Sequence, residues 1–301
     1  MSIRAAAAAA ALATMTPATA ALADAADPSL LQAIEGGKLI LDLRPRYEQV
    51  DQDGLFREAK AFTLRTQLGW RTESWRNLVA QVEMENVADL DGQHFNSTIN
   101  GKTSYPAIPD PPTTELHVAQ LQWTPDQDVT ITAGRQRVDL DDQRFIGTVN
   151  WRQDEQTFDA ARLDGQLGRF SLTYVYLEQI NRPFAEALDW RSDSHALNLY
   201  FTAAPTLRLE GFGYLFDFRE SPANSTQTYG AKASGRLPLG PLKLIYAATY
   251  ARQEPYGTNP GRFGLDYWHA ELTGAAGPVS VTADYEVLGG DGSHGFGTPL
   301  A

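Results

Sequence analysis

Nine arginines have the types and spacing to handle an anion: Arg44, Arg46, Arg65, Arg71, Arg135, Arg137, Arg144, Arg152 and Arg162. A guanidinium stays charged at any biological pH and can grip a carboxylate through two parallel hydrogen bonds. A ladder of them can replace the hydration of a uronate chain step by step, and rings of Arg or Lys are how pores select anions. The alternative is that these arginines pair with Asp42, Glu48, Glu83, Glu85, Asp159 and Asp164 nearby and merely neutralise a polar wall. Three acidic clusters, Asp51-Gln-Asp53-Gly, Asp89-Leu-Asp91-Gly and Asp139-Leu-Asp141-Asp142, offer oxygen ligands. Asp89, Asp91, Asp139 and Asp141 are therefore weak calcium candidates, although none completes a twelve-residue calcium loop and all suit ordinary turns. The histidines, His94, His117, His195, His269 and His294, show no paired zinc spacing. No nucleophile elbow and no phosphate-binding loop is present, and there is no cysteine. The chain is not expected to be an enzyme or to hold a cofactor other than calcium.

Such a ladder needs a wall to stand on, and the hydrophobic pattern supplies one. Read with period two, 38–50 places Leu39, Leu41, Leu43 and Tyr47 opposite Asp42, Arg44, Arg46 and Glu48. In 60–71, Phe62, Leu64, Leu68 and Trp70 oppose Arg65, Gln67 and Arg71; in 77–87, Leu78, Val82 and Met84 oppose Gln81, Glu83 and Glu85. Further strands are expected at 115–124, 129–138, 157–167, 169–180, 194–203, 206–217, 228–237, 241–253, 265–274 and 279–288. The segment 129–138 changes phase near Gly134, which predicts a bulge there. Short turns such as Thr72–Ser74, Pro125–Gln127, Ala204–Pro205 and Pro238–Gly240 alternate with long polar loops at 51–59, 88–114, 139–156, 181–193, 218–227 and 254–264. Short turns on one rim and long loops on the other are the habit of outer-membrane barrels. Trp70, Trp123, Trp268, Tyr47, Tyr246 and Tyr250 stand where aromatic girdles would lie. The expected fold is all-β, an antiparallel transmembrane barrel of outer-membrane type with 13 strands visible in this chain.

Composition agrees. Mean hydropathy is negative and only 43% of residues are hydrophobic, so no segment of about 20 apolar residues can form a transmembrane helix. A net charge of −12 argues against nucleic acid as a partner. The start, Met-Ser-Ile-Arg followed by an Ala-rich stretch, reads as a Sec-type signal peptide over 1–23. A periplasmic segment is expected at 24–37 and the barrel domain at 38–301. An odd strand number and an ending at Gly297-Thr-Pro-Leu-Ala301 predict that closing strands lie beyond this reading frame, in a barrel of about 16–18 strands.

Gly134-Arg-Gln-Arg-Val-Asp-Leu-Asp-Asp-Gln-Arg-Phe-Ile-Gly147, with Trp151-Arg-Gln-Asp-Glu-Gln-Thr-Phe-Asp-Ala160, resembles the central signature of alginate-export-type outer-membrane porins. Arg44-x-Arg46-Tyr-Glu48, Leu64-Arg-Thr-Gln-Leu-Gly-Trp70 and Tyr285-Glu-Val-Leu-Gly-Gly-Asp-Gly support it. The resemblance implies a large barrel in the outer membrane that moves anionic polysaccharide or small anionic solutes, with periplasmic export partners and bilayer lipid as its surroundings. It singles out Arg135, Arg137 and Arg144, which lie in the signature. The function expected is an anion-selective channel gated by 88–114 or 139–156. A non-conducting receptor or adhesin that binds polysaccharide through its long loops is the second reading, and a soluble enzyme on a β scaffold the third.

Overall fold

The computed structural model describes residues 29–301, so the expected signal peptide and the first residues of the expected periplasmic segment lie outside the described residues. Ser29 and Gln32 form a reciprocal capping box that starts a short helix, α1 (Leu30–Glu35). The indole of Trp70 donates to the Ile34 carbonyl at 2.9 Å and ties that helix to the sheet. Thirteen antiparallel strands follow: β1 (Lys38–Val50), β2 (Ala59–Arg71), β3 (Leu78–Asp89), β4 (Thr113–Asp126), β5 (Val129–Gln136), β6 (Thr157–Leu167), β7 (Phe170–Asn181), β8 (Trp190–Ala204), β9 (Leu207–Leu215), β10 (Thr226–Leu239), β11 (Leu242–Pro255), β12 (Leu265–Ala276) and β13 (Val279–Leu288). They form one sheet in which every strand pairs only with its sequence neighbours. The thirteen predicted strands are all present and in order. Their ends extend furthest at the long-loop rim, as where β8 begins at Trp190 instead of 194. Backbone pairing continues there, Trp190 opposite Ile180, after the polar–apolar alternation that marks the hydrocarbon has faded.

The two faces differ as alternation requires. Leu39, Leu41, Leu43, Leu68, Val82, Leu121, Val279 and Val281 are exposed on the outer face, where burial in water-free hydrocarbon would be favourable. Tyr47, Tyr250 and Trp268 stand on it toward the long-loop rim, and Trp70 and Trp123 toward the short-turn rim. The inner face carries the charged and polar partners together with an aromatic core: Phe212, Tyr214 and Phe216 of β9 and its exit, with Trp190 and Phe218. That core is covered by three segments. Residues 137–156 fold against the inner face, with Phe145 seated 5.1 Å from Phe212 and 5.5 Å from Tyr214 between ring centroids. The segment after β13 turns back across the same space, so that Phe296 packs on Phe145 and Tyr267. Leu300, fully buried, accepts from the Gly147 amide at 2.8 Å. The third segment, 90–112, buries Phe95 and Ile108 on Ala59 and Ala61.

The bulge predicted at Gly134 is not found. The ladder runs in register through this glycine on both sides, Gln120 opposite Gly134 opposite Ala160. Gly134 is needed instead for its backbone: φ is +111°, and a Cβ would stand 2.2 Å from the Ala119 carbonyl oxygen. The true irregularities lie beside it, one inserting His117 opposite the Glu83–Met84 step, another inserting Glu178 opposite Asp159–Ala160. The Gly134→Ala variant should therefore lose about 1–3 kcal/mol of stability, read as a lower urea midpoint of the heat-modifiable folded band. Gly165→Ala, where an added Cβ meets nothing within 4 Å, should stay within about 1 kcal/mol of wild type.

Candidate functional site

The long segment 137–156 lies along the inner face, and the side chains that hold it there form the candidate site. Its first anchor is Glu155. The carboxylate accepts from Arg65 at 2.6 Å and from Arg137 at 2.8 Å, with His117 Nε2 at 3.2 Å. Arg65 projects inward because it alternates with outward Leu64 on β2, and it also reaches Asp42 at 3.0 Å. Arg137 closes a second pair with Glu83 at 2.9 Å. Burial alone would raise the pKa of Glu155, but the hydrogen bonds from His117 and Arg137, with the charge of Arg65, hold it well below the ordinary carboxylate range. Its neighbour Asp154 has the opposite fate. Burial, and then the nearby Glu115 and Glu85 carboxyls, push it well above the ordinary value.

The second anchor is a set of guanidiniums turned onto backbone. Arg44 donates to the carbonyls of Asn150 at 2.7 Å, Trp151 at 3.0 Å and Arg152 at 3.1 Å. Arg46 adds a bond to the Trp151 carbonyl at 2.9 Å and an ion pair with buried Asp110 at 3.3 Å. The Gln153 amide returns to the Arg44 carbonyl and to Thr63. Further along the loop, Lys232 of β10 binds Asp142 at 2.8 Å and also Asp141, and Arg144 reaches Glu286 of β13 at 3.0 Å. Burial would raise Asp142, but the Lys232 hydrogen bond outweighs it and lowers the pKa. Both ends of the loop and its middle are thus ion-paired to different strands.

The predicted arginines divide accordingly. Arg44, Arg46 and Arg65 converge on the loop from the strands, and Arg137, Arg144 and Arg152 are part of it, Arg152 stacked 4.0 Å over Trp151. Arg71 sits at the short-turn end, donating to Gln81 and Gln122. Arg162 is held by Asp164 two residues along its own strand at 2.7 Å. Arg135 is a correction. It pairs with Ala119 and Asp159 in the ladder, so it shares the outer face with Ile131 and Ala133, and its guanidinium is bound by Asp159 at 2.7 Å and by the Leu116 carbonyl. Only a bulge at Gly134 would have turned it inward. Three of the four calcium candidates have separate partners in the structure. Asp89 accepts from the amides of Gly92 and Gln93 as a turn cap, Asp139 from the Thr148 amide, and Asp141 pairs with Lys232.

Sequence reasoning passed over other inner-face groups. Lys38, Arg208, Arg236 and Lys243 are exposed on inward positions of the short-turn half, and among the described residues none has an ion-pair partner. Arg208 lies 3.9 Å over the ring of Tyr200. With Lys232, Arg208 and Arg236 line a cavity of about 390 Å³ that also includes Glu271. Period-two alternation carried this signal, since Arg208, Glu210, Lys232 and Arg236 fall on one face.

The family model for alginate export matches residues 39–233. Among curated proteins, none matches. Among solved structures, OccD3 (OpdP) of Pseudomonas aeruginosa is similar at TM-score 0.64 and 15% identity, over 84% of this chain and 58% of that one. OpdO of the same organism is similar at 0.65 and 15%, over 85% and 65%, and OccAB2 of Acinetobacter baumannii at 0.66 and 14%, over 85% and 68%. The likeness shows the fold, that of outer-membrane β-barrels, and the chain spans less than two thirds of the length of OccD3 and OpdO.

The anchors differ in depth, which sets the expected effects of breaking them. Glu155→Gln leaves the buried Arg65 and the half-buried Arg137 without their shared acceptor and should lower unfolding stability by about 3 kcal/mol. Arg162→Gln, at a half-exposed pair, should change it by less than about 1 kcal/mol. Urea titration of the two variants in the same detergent reads both.

Proposed function

The chain belongs to the alginate export family, and from that premise we propose that it is an outer-membrane channel passing anionic sugars, with the 137–156 loop as its constriction. The observation that carries this reading is the contrast between the two halves of the inner wall. Around the loop, Arg44, Arg46, Arg65, Arg137 and Arg144 are already bound to a carboxylate or a backbone carbonyl. Beyond the loop, toward the short-turn rim, Lys38, Arg208, Arg236 and Lys243 stand exposed. An anion leaving the constriction would meet cations whose charge is not already cancelled, and guanidinium suits a carboxylate-bearing sugar through paired hydrogen bonds. The arginines nearer the loop act on the pore indirectly, by fixing its narrowest part. With short turns in the periplasm, the N-terminal helix lies on the periplasmic side and the long loops face outward.

Planar-bilayer recording under a salt gradient tests this. Arg208→Glu combined with Arg236→Glu should move the reversal potential toward cation selectivity, whereas Arg135→Glu, on the outer face, should leave it in place. Phe145→Ala, which removes the ring seating the loop, should raise single-channel conductance. Current that is blocked by oligouronates in wild type and less so in the double variant would support the sugar specificity. An unmoved reversal potential would overturn the assignment of the free cations. A silent bilayer would favour the receptor reading.

A further inference from the structure

We propose that the buried pocket where Asp154 of the loop meets β3 and β4 is a divalent-cation site, with Glu85, Glu115 and Asp154 as oxygen ligands and His117 as a fourth donor. The pocket gathers more carboxyls than its fixed cations can pair. Arg65 and Arg137 are its two fixed cations, and they are bound to Asp42, Glu83 and Glu155. Glu85, fully buried, is left with the Gln67 amide at 2.6 Å, the Glu155 amide at 3.4 Å and Arg65 only at 4.0 Å. Glu115 has no guanidinium, amide or imidazole donor among the described residues and faces only the Asp154 carboxyl. Asp154 is 0% exposed, and its carboxylate oxygens receive no amide, guanidinium or imidazole donor, only the carboxyls of Glu115 and Glu85 beside them. The Nδ1 of His117, also 0% exposed, has no partner either. Two buried carboxyls and a buried imidazole therefore gather beside the half-buried Glu115.

The geometry suits an ion. One ligand atom from each of Glu85, Glu115 and His117 can be chosen so that all lie within 4.8 Å of one another. That is the spacing expected of donors arranged about 2.0–2.6 Å from a common centre. The pocket is also assembled from three separate pieces of chain. Glu85 comes from β3, Glu115 and His117 from β4, and Asp154 from the loop. His117 points inward beside Val118 only because the register shift opposite Glu83–Met84 makes it an extra residue; a regular strand would turn one of the two outward. Burying ionised carboxylates without compensation is prohibitively unfavourable, and a bound cation removes that penalty while stitching the loop to the wall. Carboxylates with an imidazole favour first-row ions such as Mn²⁺ or Zn²⁺, whereas Ca²⁺ would use the oxygens alone. The site is distinct from the aspartate clusters at the loop roots and does not depend on the channel's selectivity.

The test is metal content and melting of the folded, full-length protein in detergent. Protein purified without chelator should carry one equivalent of a divalent ion by mass spectrometry. After stripping with EDTA, Ca²⁺, Mn²⁺ or Zn²⁺ at millimolar concentration should raise its melting temperature. The Asp154→Asn, Glu115→Gln double variant should bind at least about tenfold more weakly. When stripped, it should melt no lower than stripped wild type, because the carboxylate repulsion is gone, and this separates loss of a ligand from misfolding. Loss of Mn²⁺ or Zn²⁺ binding in His117→Ala would support imidazole coordination, and retained Ca²⁺ binding an all-oxygen site. The proposal falls if no ion binds or shifts the melt, or if the double variant responds as wild type does. It falls equally if His269→Ala abolishes binding, which would move the ion to the cluster of His269, Glu271 and Asp284.

Discussion

Glu155 is the point through which the inner half of this protein is held together. One carboxylate takes donors from β2, from the start of its own loop and from the inserted histidine of β4, so two strands and both ends of the loop are fixed by one set of charge-assisted bonds. Such a network is strong only while every member is present. In a site closed to water an unpartnered guanidinium loses its hydration without replacement, which makes the loop's position an all-or-none property of the group.

That economy governs where charge is free. The long-loop half of the wall uses its arginines to hold backbone and carboxylates. Cations of the short-turn half have no such task. A single alternating pattern of inward polar residues thus produces two electrostatic regions, and the boundary between them is the loop. On the outer face no comparable division arises, because hydrocarbon accepts only apolar side chains along most of its depth. Arg135 and Asp159 stand there as a mutually neutralising pair.

The aromatic core adds the second restraint. Phe145 enters a nest formed by Phe212, Tyr214, Tyr267 and Phe296, which gives the polar loop an apolar foothold inside an otherwise polar space. Burial of a phenyl ring is worth about 1.5–3 kcal/mol, comparable with one good ion pair, so the two restraints share the loop between them. Residues beyond β13 depend on the same nest through Phe296 and on the loop backbone through Leu300.

The strands, their order and the face of nearly every residue in them were legible in the sequence, because side chains alternate across a strand and hydrocarbon sorts them by polarity. So were the long loops, including 139–156 as a segment able to fold inward. Gly134 marks where that reasoning ended: an apparent change of phase can signal an added residue or a close backbone approach, and only the ladder registers distinguish them. The side of Arg135 followed from that choice. Which arginines are bound and which are free was likewise undetermined by sequence, since ion pairing here joins residues as distant along the chain as Arg144 and Glu286. Period and polarity are local properties of a chain. The meeting of Asp154 with Glu85, Glu115 and His117 depends on how a loop packs inside a curved sheet, and only the tertiary structure decides that.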